Sequence, residues 1–166
     1  MQKIKEWILK KLFKVSNQPV NLLDLLEANA LYNEKMSIDP AKLHFKFQEF
    51  NAYLIFAVLC AIVLVPLILL THSGFQIVDF HFSIISAIGV TAAIFIFFDM
   101  FKIYTRKSMT KKLIKKAWDE YFPCFEYERY SKLLEEIYHK LPKHMISKPN
   151  LESYVLEQII QNEQKE

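Results

Sequence analysis

Residues 52–70 read AYLIFAVLCAIVLVPLILL, and residues 80–98 read FHFSIISAIGVTAAIFIFF. The first run has no charged side chain, and His81 is the only ionisable group of the second. As a helix, each run covers about 28 Å, which is close to the thickness of a bilayer's hydrocarbon core. The two runs therefore predict a transmembrane helical hairpin, with spans at about residues 50–70 and 80–101 and an outer loop at residues 71–79.

The distribution of basic residues predicts the orientation of the hairpin. The outer loop has no Lys or Arg, whereas a basic block without acidic residues follows the second span. Because such blocks stay on the cytoplasmic side, we expect both termini in the cytoplasm and the chain in the cell (inner) membrane. The block is expected to anchor the chain at an anionic membrane surface, and it consists of Lys102, Arg106, Lys107, Lys111, Lys112, Lys115 and Lys116.

The composition narrows the class of protein. The chain has 166 residues, of which 52% are hydrophobic and only 2 are Gly, a balance that favours helices over sheets. Its abundance of Lys, Ile, Phe and Asn is typical of an AT-rich bacterial genome. No recognised nucleic-acid-binding module accompanies the basic block, so nucleic acid is not expected as a partner.

The predicted fold class is an all-α membrane protein, a two-transmembrane helical hairpin with cytoplasmic N- and C-terminal amphipathic helices. We divide the chain into cytoplasmic N-terminal helices (1–39), the transmembrane hairpin (40–101) and a cytoplasmic helical C-terminal region (102–166). Asp39-Pro40 is a good helix start, because Asp caps free amides and Pro fits the first helical position. A continuous helix is therefore predicted from residue 40 to residue 70.

Further helices follow from stop signals and apolar periodicity. No Pro occurs between residues 80 and 122, so the second span is expected to continue into the cytoplasm as far as residue 122. Asn21 and Asn150 are predicted caps of two other helices. Residues 2–15 predict a basic amphipathic helix, which could lie on an acidic membrane surface or pack on the protein's own cytoplasmic part.

Two sets of residues are expected to make helix contacts. Small side chains allow close approach of helices in lipid, and the candidates are Ala57, Ala61, Ser86, Gly89 and Ala93. After Pro123, apolar residues recur every three or four positions and predict a helix whose apolar face packs on other helices or binds a partner. That face is formed by Tyr130, Leu133, Leu134, Ile137 and Leu141.

The sequence contains no catalytic motif that we can identify, and it predicts no cofactor. His72, Asp79 and His81 could donate ligands to a metal in or beside the outer loop, but their spacing matches no metal motif and favours a solvated loop. Asp99 is expected to form an interfacial ion pair with Lys102, three residues later.

These observations predict a non-enzymatic membrane protein that anchors or assembles partners, or serves as an accessory subunit, through its cytoplasmic helices. The lipid bilayer and either a protein partner or a second copy of the chain are the expected partners. The alternative is a homo-oligomeric pore or small transport subunit, because two spans enclose a path only when several copies assemble. A membrane enzyme is a third hypothesis, which would require Asp99 or the outer histidines to act.

Overall fold

The computed structural model describes residues 2–75, 80–141 and 148–164, with side chains outside the description at residues 2, 70–75, 80–83 and 148–150. This part of the chain is mostly helical, as predicted, and also contains two short strands. In chain order the elements are α1 (Gln2–Leu12), β1 (Phe13–Val15), α2 (Leu22–Asn33), β2 (Phe45–Phe47), α3 (Glu49–Phe75), α4 (Phe80–Tyr121), α5 (Tyr127–Lys140) and α6 (Lys148–Glu163).

The chain divides into two compact units. Unit 1 consists of Met1–Phe13 and Phe47–Lys107, and unit 2 consists of Lys14–Lys46 and Ser108–Glu166. Unit 2 therefore combines residues that precede the hairpin with residues that follow it. Helix α4 contributes residues 80–107 to unit 1 and residues 108–121 to unit 2.

Unit 1 contains the two apolar helices. Both α3 and α4 are long and apolar enough to cross a membrane, and only 6% of the most apolar window of each is buried. A core helix of a soluble protein would bury most of such a surface, so this exposure agrees with the predicted spans. Aromatic rings join the two helices at one end, where Tyr53 stacks on Phe98 at 4.7 Å and Phe56 contacts Phe98 at 5.1 Å and Phe101 at 5.6 Å.

The predicted continuous helix over residues 40–70 is wrong at its start, because α3 begins only at Glu49. Asp39 caps a turn instead, and its Oδ1 accepts a hydrogen bond from the Ala41 amide at 2.9 Å. The turn ends at His44, whose φ of 51° lies in the left-handed region and cannot continue a helix.

The residues after this turn form a strand. The amide of Ser16 donates to the His44 carbonyl and the amide of Gln48 donates to the Leu12 carbonyl, so β1 and β2 pair antiparallel. The segments FKV and FKF share an apolar–basic–apolar alternation, which is the period of a strand. This alternation also ends α1 at Leu12, earlier than the predicted residue 15.

The other helix boundaries agree with the prediction in type and differ in detail. Helix α4 runs to Tyr121, one residue short of the predicted end, and stops before Pro123. Asn21 occupies the N-cap of α2, but its side chain makes no capping hydrogen bond. Helix α6 starts at Lys148, so the predicted cap Asn150 lies inside its first turn.

A well-packed core holds unit 2 together. Trp118 of α4 is fully buried, contacts Phe122 at 4.5 Å and donates a 2.6 Å hydrogen bond from Nε1 to the Phe125 carbonyl. Helices α2, α5 and α6 pack on one another in the same unit. The core side chains that they contribute include Leu25, Leu26, Leu134, Leu151, Val155 and Ile159, each no more than 1% exposed.

Candidate functional site in unit 2

A buried polar network joins α2 to α5. Asn29, which is fully buried, donates from Nδ2 to the Ser131 carbonyl at 2.7 Å. Its Oδ1 accepts hydrogen bonds from the Tyr127 hydroxyl at 2.8 Å and the Ser131 hydroxyl at 3.0 Å. Asn33, one turn further along α2, also donates to the Ser131 carbonyl, at 3.1 Å. Because an unpaired buried amide is costly, this network specifies one alignment of the two helices.

An open groove of about 590 Å³ lies over this network. Uncharged groups of the network form part of its lining, and charged side chains of both signs form the rest. The lining residues are Tyr32, Asn33, Lys111, Tyr127, Glu128, Ser131, Lys132, Glu135 and Glu136. Such a mixed-charge groove offers hydrogen bonds and ion pairs to a polar ligand or to a protein surface.

Several ion pairs lie within unit 2, and Glu128 of one of them lines the groove. Lys115 of α4 pairs with Glu128 of α5, and Lys42 pairs with Glu27 of α2. The hydrogen bond from Lys115 lowers the pKa of the Glu128 carboxyl below its ordinary value. The hydrogen bond to Glu27 raises the pKa of Lys42.

Burial acts on the tyrosines of the same region. Desolvation raises the pKa of Tyr127 and of Tyr138 above the ordinary value for a phenol. Each of these shifts, like those of Glu128 and Lys42, moves the pKa away from neutrality. A general acid or base for neutral pH needs the opposite kind of shift.

A second polar contact lies at the C-terminal ends of α2 and α5. The Nε2 atom of His139 is 2.7 Å from Oε1 of Glu34. Glu135, one turn before His139, adds a third potential metal ligand. One ligand atom from each of Glu34, Glu135 and His139 lies within 4.8 Å of the other two. The His139 side chain is 53% exposed and the hydrogen bond to Glu34 already accounts for this arrangement.

The predicted partner-binding face of α5 lies largely inside unit 2. Tyr130, Leu134 and Ile137 are 3%, 1% and 4% exposed, while Leu133 and Leu141 are half-buried. The face therefore packs on the chain's own helices, which was one of the two expected uses of it. That it binds a partner remains a prediction, and such binding would first require α5 to separate from α2 and α6.

The predicted membrane-anchoring residues are shared between the units. In unit 1, Lys102 forms the expected ion pair with Asp99 at 2.7 Å, and Arg106 lies over the Phe47 ring at 5.3 Å. Lys107 belongs to the same unit and is exposed. In unit 2, Lys115 and Lys116 pair with acidic side chains, while Lys111 and Lys112 are exposed. Their contact with lipid stays a prediction.

The small residues predicted to pack helices in the membrane are exposed or half-buried within unit 1, and their packing stays a prediction. Ala57, Ala61 and Gly89 are exposed, and a Cβ atom added at Gly89 would meet nothing within 4 Å. Ser86 and Ala93 are half-buried. The contacts described between α3 and α4 are those of the aromatic rings Tyr53, Phe56, Phe98 and Phe101.

None of the three candidate metal ligands beside the predicted outer loop has its side chain among the described residues. Asp79 lies outside the described residues, and the side chains of His72 and His81 are likewise not described.

The polar network was missed by the sequence analysis, although a signal for it exists. Asn29 and Asn33 continue the three- and four-residue spacing of Leu22, Leu25 and Leu26 on α2. A polar residue at a core-facing position of a helix indicates a buried hydrogen-bond partner. Its partner Ser131 could not be identified in this way, since it lies 102 positions away in the sequence.

Comparison with known proteins found no matching family model, no matching curated protein and no matching solved structure.

Proposed function

We propose that this protein is a membrane-anchored assembly or accessory subunit, in which the hairpin resides in a bilayer and unit 2 binds a protein partner. The α2–α5 groove is the proposed binding surface. We choose the groove over the apolar face of α5 as the binding surface, because that face is buried in the core of unit 2. The basic block favours a cell (inner) membrane with both termini in the cytoplasm, which would place unit 2 there.

The observation that carries this proposal is the buried network beneath the groove. Asn29 is fully buried and bonded to both Tyr127 and Ser131, so the groove is built on a fixed pair of helices. A rigid surface loses little conformational entropy when a partner binds. Helices that fold only on binding a partner would leave their apolar faces exposed in the free chain. The apolar face of α5 is instead largely buried.

A non-enzymatic role is supported by the electrostatics of the groove. The pKa values of Glu128 and Tyr127, which line it, are displaced away from neutrality. Both groups therefore keep one protonation state across the neutral range, which suits recognition rather than proton transfer.

The test is the mass and composition of the complex extracted gently from its native membrane. The proposal predicts co-purification with a larger assembly. Exchanging the charges of two exposed groove residues, Lys132→Glu with Glu136→Lys, should reduce the recovered partner at least about tenfold, a loss expected for disrupted charge complementarity. Net charge is unchanged by this exchange.

The matched control exchanges the charges of Lys35 and Glu152, which are also exposed in unit 2 but do not line the groove. This variant should retain the partner. Equal recovery from both variants would remove the groove as the binding surface, and recovery of the chain alone as a monomer would remove the assembly role.

A homo-oligomeric pore or small transport subunit is the second candidate, and the exposed small residues of the hairpin favour it. Gly89 and Ala57 are exposed, so a second copy could approach closely there. Thr91 is a polar residue of the same span. Its hydroxyl donates a 2.8 Å hydrogen bond to the Ala87 carbonyl of the same helix. A discrete homo-oligomer in the extraction experiment, with ion flux in liposomes, would support this candidate.

A further inference from the structure

Helix α1 leaves one edge of its apolar face uncovered. Within unit 1, Leu9 and Leu12 are buried, whereas Ile4 is 65% and Trp7 is 57% exposed. At about 100° per residue, the half-buried Ile8 falls between Ile4 and Leu12, so these three residues follow one another around the helix. The described residues cover the side that carries Leu9 and Leu12, and they leave Ile4 and Trp7 exposed.

The charges of α1 complement an anionic surface. The helix contains four lysines and one glutamate, and all of the lysines are exposed. Lys3 and Lys10 lie on the polar side next to Trp7, and Lys11 projects between Trp7 and Ile4. A lysine in that position can extend along the apolar surface while its ammonium group remains in water. Lysine with exposed tryptophan is the signature of a helix that lies in a membrane interface.

Contacts at two points indicate how α1 lies on the hairpin. Near its C-terminal end, the Lys11 carbonyl accepts a 2.8 Å hydrogen bond from Asn51 Nδ2 in the first turns of α3. Near its N-terminal end, Lys5 Nζ lies 5.2 Å from the ring centroid of Tyr104 on α4. These points are about 9 Å apart along α1, which fits the separation of about 8–10 Å between packed helices. The helix thus crosses from α3 to α4 at one end of the hairpin.

That end is where the apolar surface of the hairpin meets its charged residues. Ile103, beside Tyr104, is 67% exposed and the basic Arg106 follows within one turn. The uncovered edge of α1 therefore belongs to a helix that packs at the end of the hairpin where, with the hairpin in a bilayer, the headgroups would begin.

We propose that α1 lies in the membrane–water interface and binds the headgroups of anionic lipids through Lys3, Lys10 and Lys11. Ile4 and Trp7 insert below the headgroups. The inference rests on the membrane placement of the hairpin in the proposed function, and it adds the class of lipid that this surface recognises.

The test uses the full chain in vesicles of phosphatidylcholine, with and without phosphatidylglycerol. Trp7 is followed by quenching with lipids brominated on the acyl chains, and the signal of the Trp7→Phe variant is subtracted to remove Trp118. We expect quenching of Trp7 to be at least about twofold stronger in the anionic vesicles, since each lysine near such a surface favours binding.

Neutralising Lys3, Lys10 and Lys11 to Gln should abolish this difference. The matched control neutralises Lys35, Arg129 and Lys140, three exposed basic residues of unit 2 that do not line the groove, and should preserve it. The inference would be overturned if aqueous acrylamide quenches Trp7 while the brominated lipids quench it in neither kind of vesicle.

Alkaline extraction separates this failure from failure of the membrane placement. A chain that stays in the membrane fraction while Trp7 remains in water overturns the inference about α1 alone. A chain that is extracted overturns the placement, and the inference with it.

Discussion

Asn29 and Ser131 hold α2 and α5 together by two hydrogen bonds in opposite directions. The Asn29 amide donates to the Ser131 carbonyl at 2.7 Å, and the Ser131 hydroxyl donates to Asn29 Oδ1 at 3.0 Å. The side chain of Asn29 therefore bonds both the backbone carbonyl and the side-chain hydroxyl of Ser131. This pairing fixes the rotation of α5 against α2, and hence the arrangement of the groove above them.

Asn29→Ala should destabilise unit 2 by about 1–3 kcal/mol, because it leaves the Tyr127 hydroxyl without its buried acceptor. Unfolding by urea in detergent micelles measures the effect, with the fluorescence of buried Trp118 as the reporter in a Trp7→Phe background. The exposed Asn17→Ala is the matched control, and its change should stay within about 0.5 kcal/mol. Equal stability of the two variants would show that the network does not hold the helices.

Lys35→Gly should stabilise unit 2 by about 1 kcal/mol, since Lys35 has a φ of 60° that only Gly adopts without strain. The amides of Lys35 and Met36 bond the carbonyls of Tyr32 and Leu31, which is the pattern of a Schellman cap. The urea midpoint measures the gain. Lys132→Gly, in the interior of α5, should instead destabilise by about 1 kcal/mol, and a loss at position 35 would contradict the assigned cap.

Glu128→Gln should remove a stabilising contribution that depends on pH. Because Lys115 lowers the pKa of Glu128 in the folded chain, the contribution is present above the ordinary carboxyl pKa near 4.5 and is lost as the pH falls through the folded value. The Glu128 side chain is 48% exposed, so solvent screening keeps the difference below about 1 kcal/mol.

Unfolding of wild type and Glu128→Gln at neutral pH and below pH 4.5 measures this contribution. The two proteins should converge in acid, and also in high salt at neutral pH. Glu152→Gln, an exposed carboxylate on α6, serves as the control. A difference that is constant with pH would mean that the Lys115–Glu128 pair is not its source.

The two cysteines should differ in reactivity within a membrane. Cys124 is an exposed residue of unit 2, whereas Cys60 lies on α3 among apolar side chains. In sealed vesicles, a membrane-impermeant maleimide should label Cys124 only from the side that holds unit 2, and Cys60 only after denaturation. Mass spectrometry of the wild type and the Cys60→Ser and Cys124→Ser variants reports the sites, and rapid labelling of Cys60 in intact vesicles would argue against the proposed span.

Much of the fold could be predicted because its signals are local. The unbroken run after residue 80 correctly predicted a helix to within one residue of Tyr121, since no Pro interrupts it. The failure at Asp39-Pro40 has an equally local cause, because the same two residues suit a helix start and a turn. The strand that follows is stabilised by β1, which lies about thirty positions earlier and is invisible to a local pattern.

The candidate site was harder to predict from the sequence than the hairpin was. The amphipathic pattern of α5 correctly marked Tyr130, Leu134 and Ile137 as buried, but it contains no information on what buries them. A partner and the chain's own α2 and α6 satisfy that pattern equally well. The groove is lined by charged and polar residues that look like an ordinary solvated helix face until α2 is placed beside α5.

The sequence by itself determined the two apolar helices, the long continuation of α4 and the amphipathic faces, because hydrophobicity and periodicity depend on neighbouring residues. Only the tertiary structure decided that residues on both sides of the hairpin share one core, and that Asn29 meets Ser131 across 102 positions. The physical reason is that burial and hydrogen bonding are satisfied between distant segments. Many pairings of amphipathic helices meet the same local requirements, and only the packed arrangement selects among them.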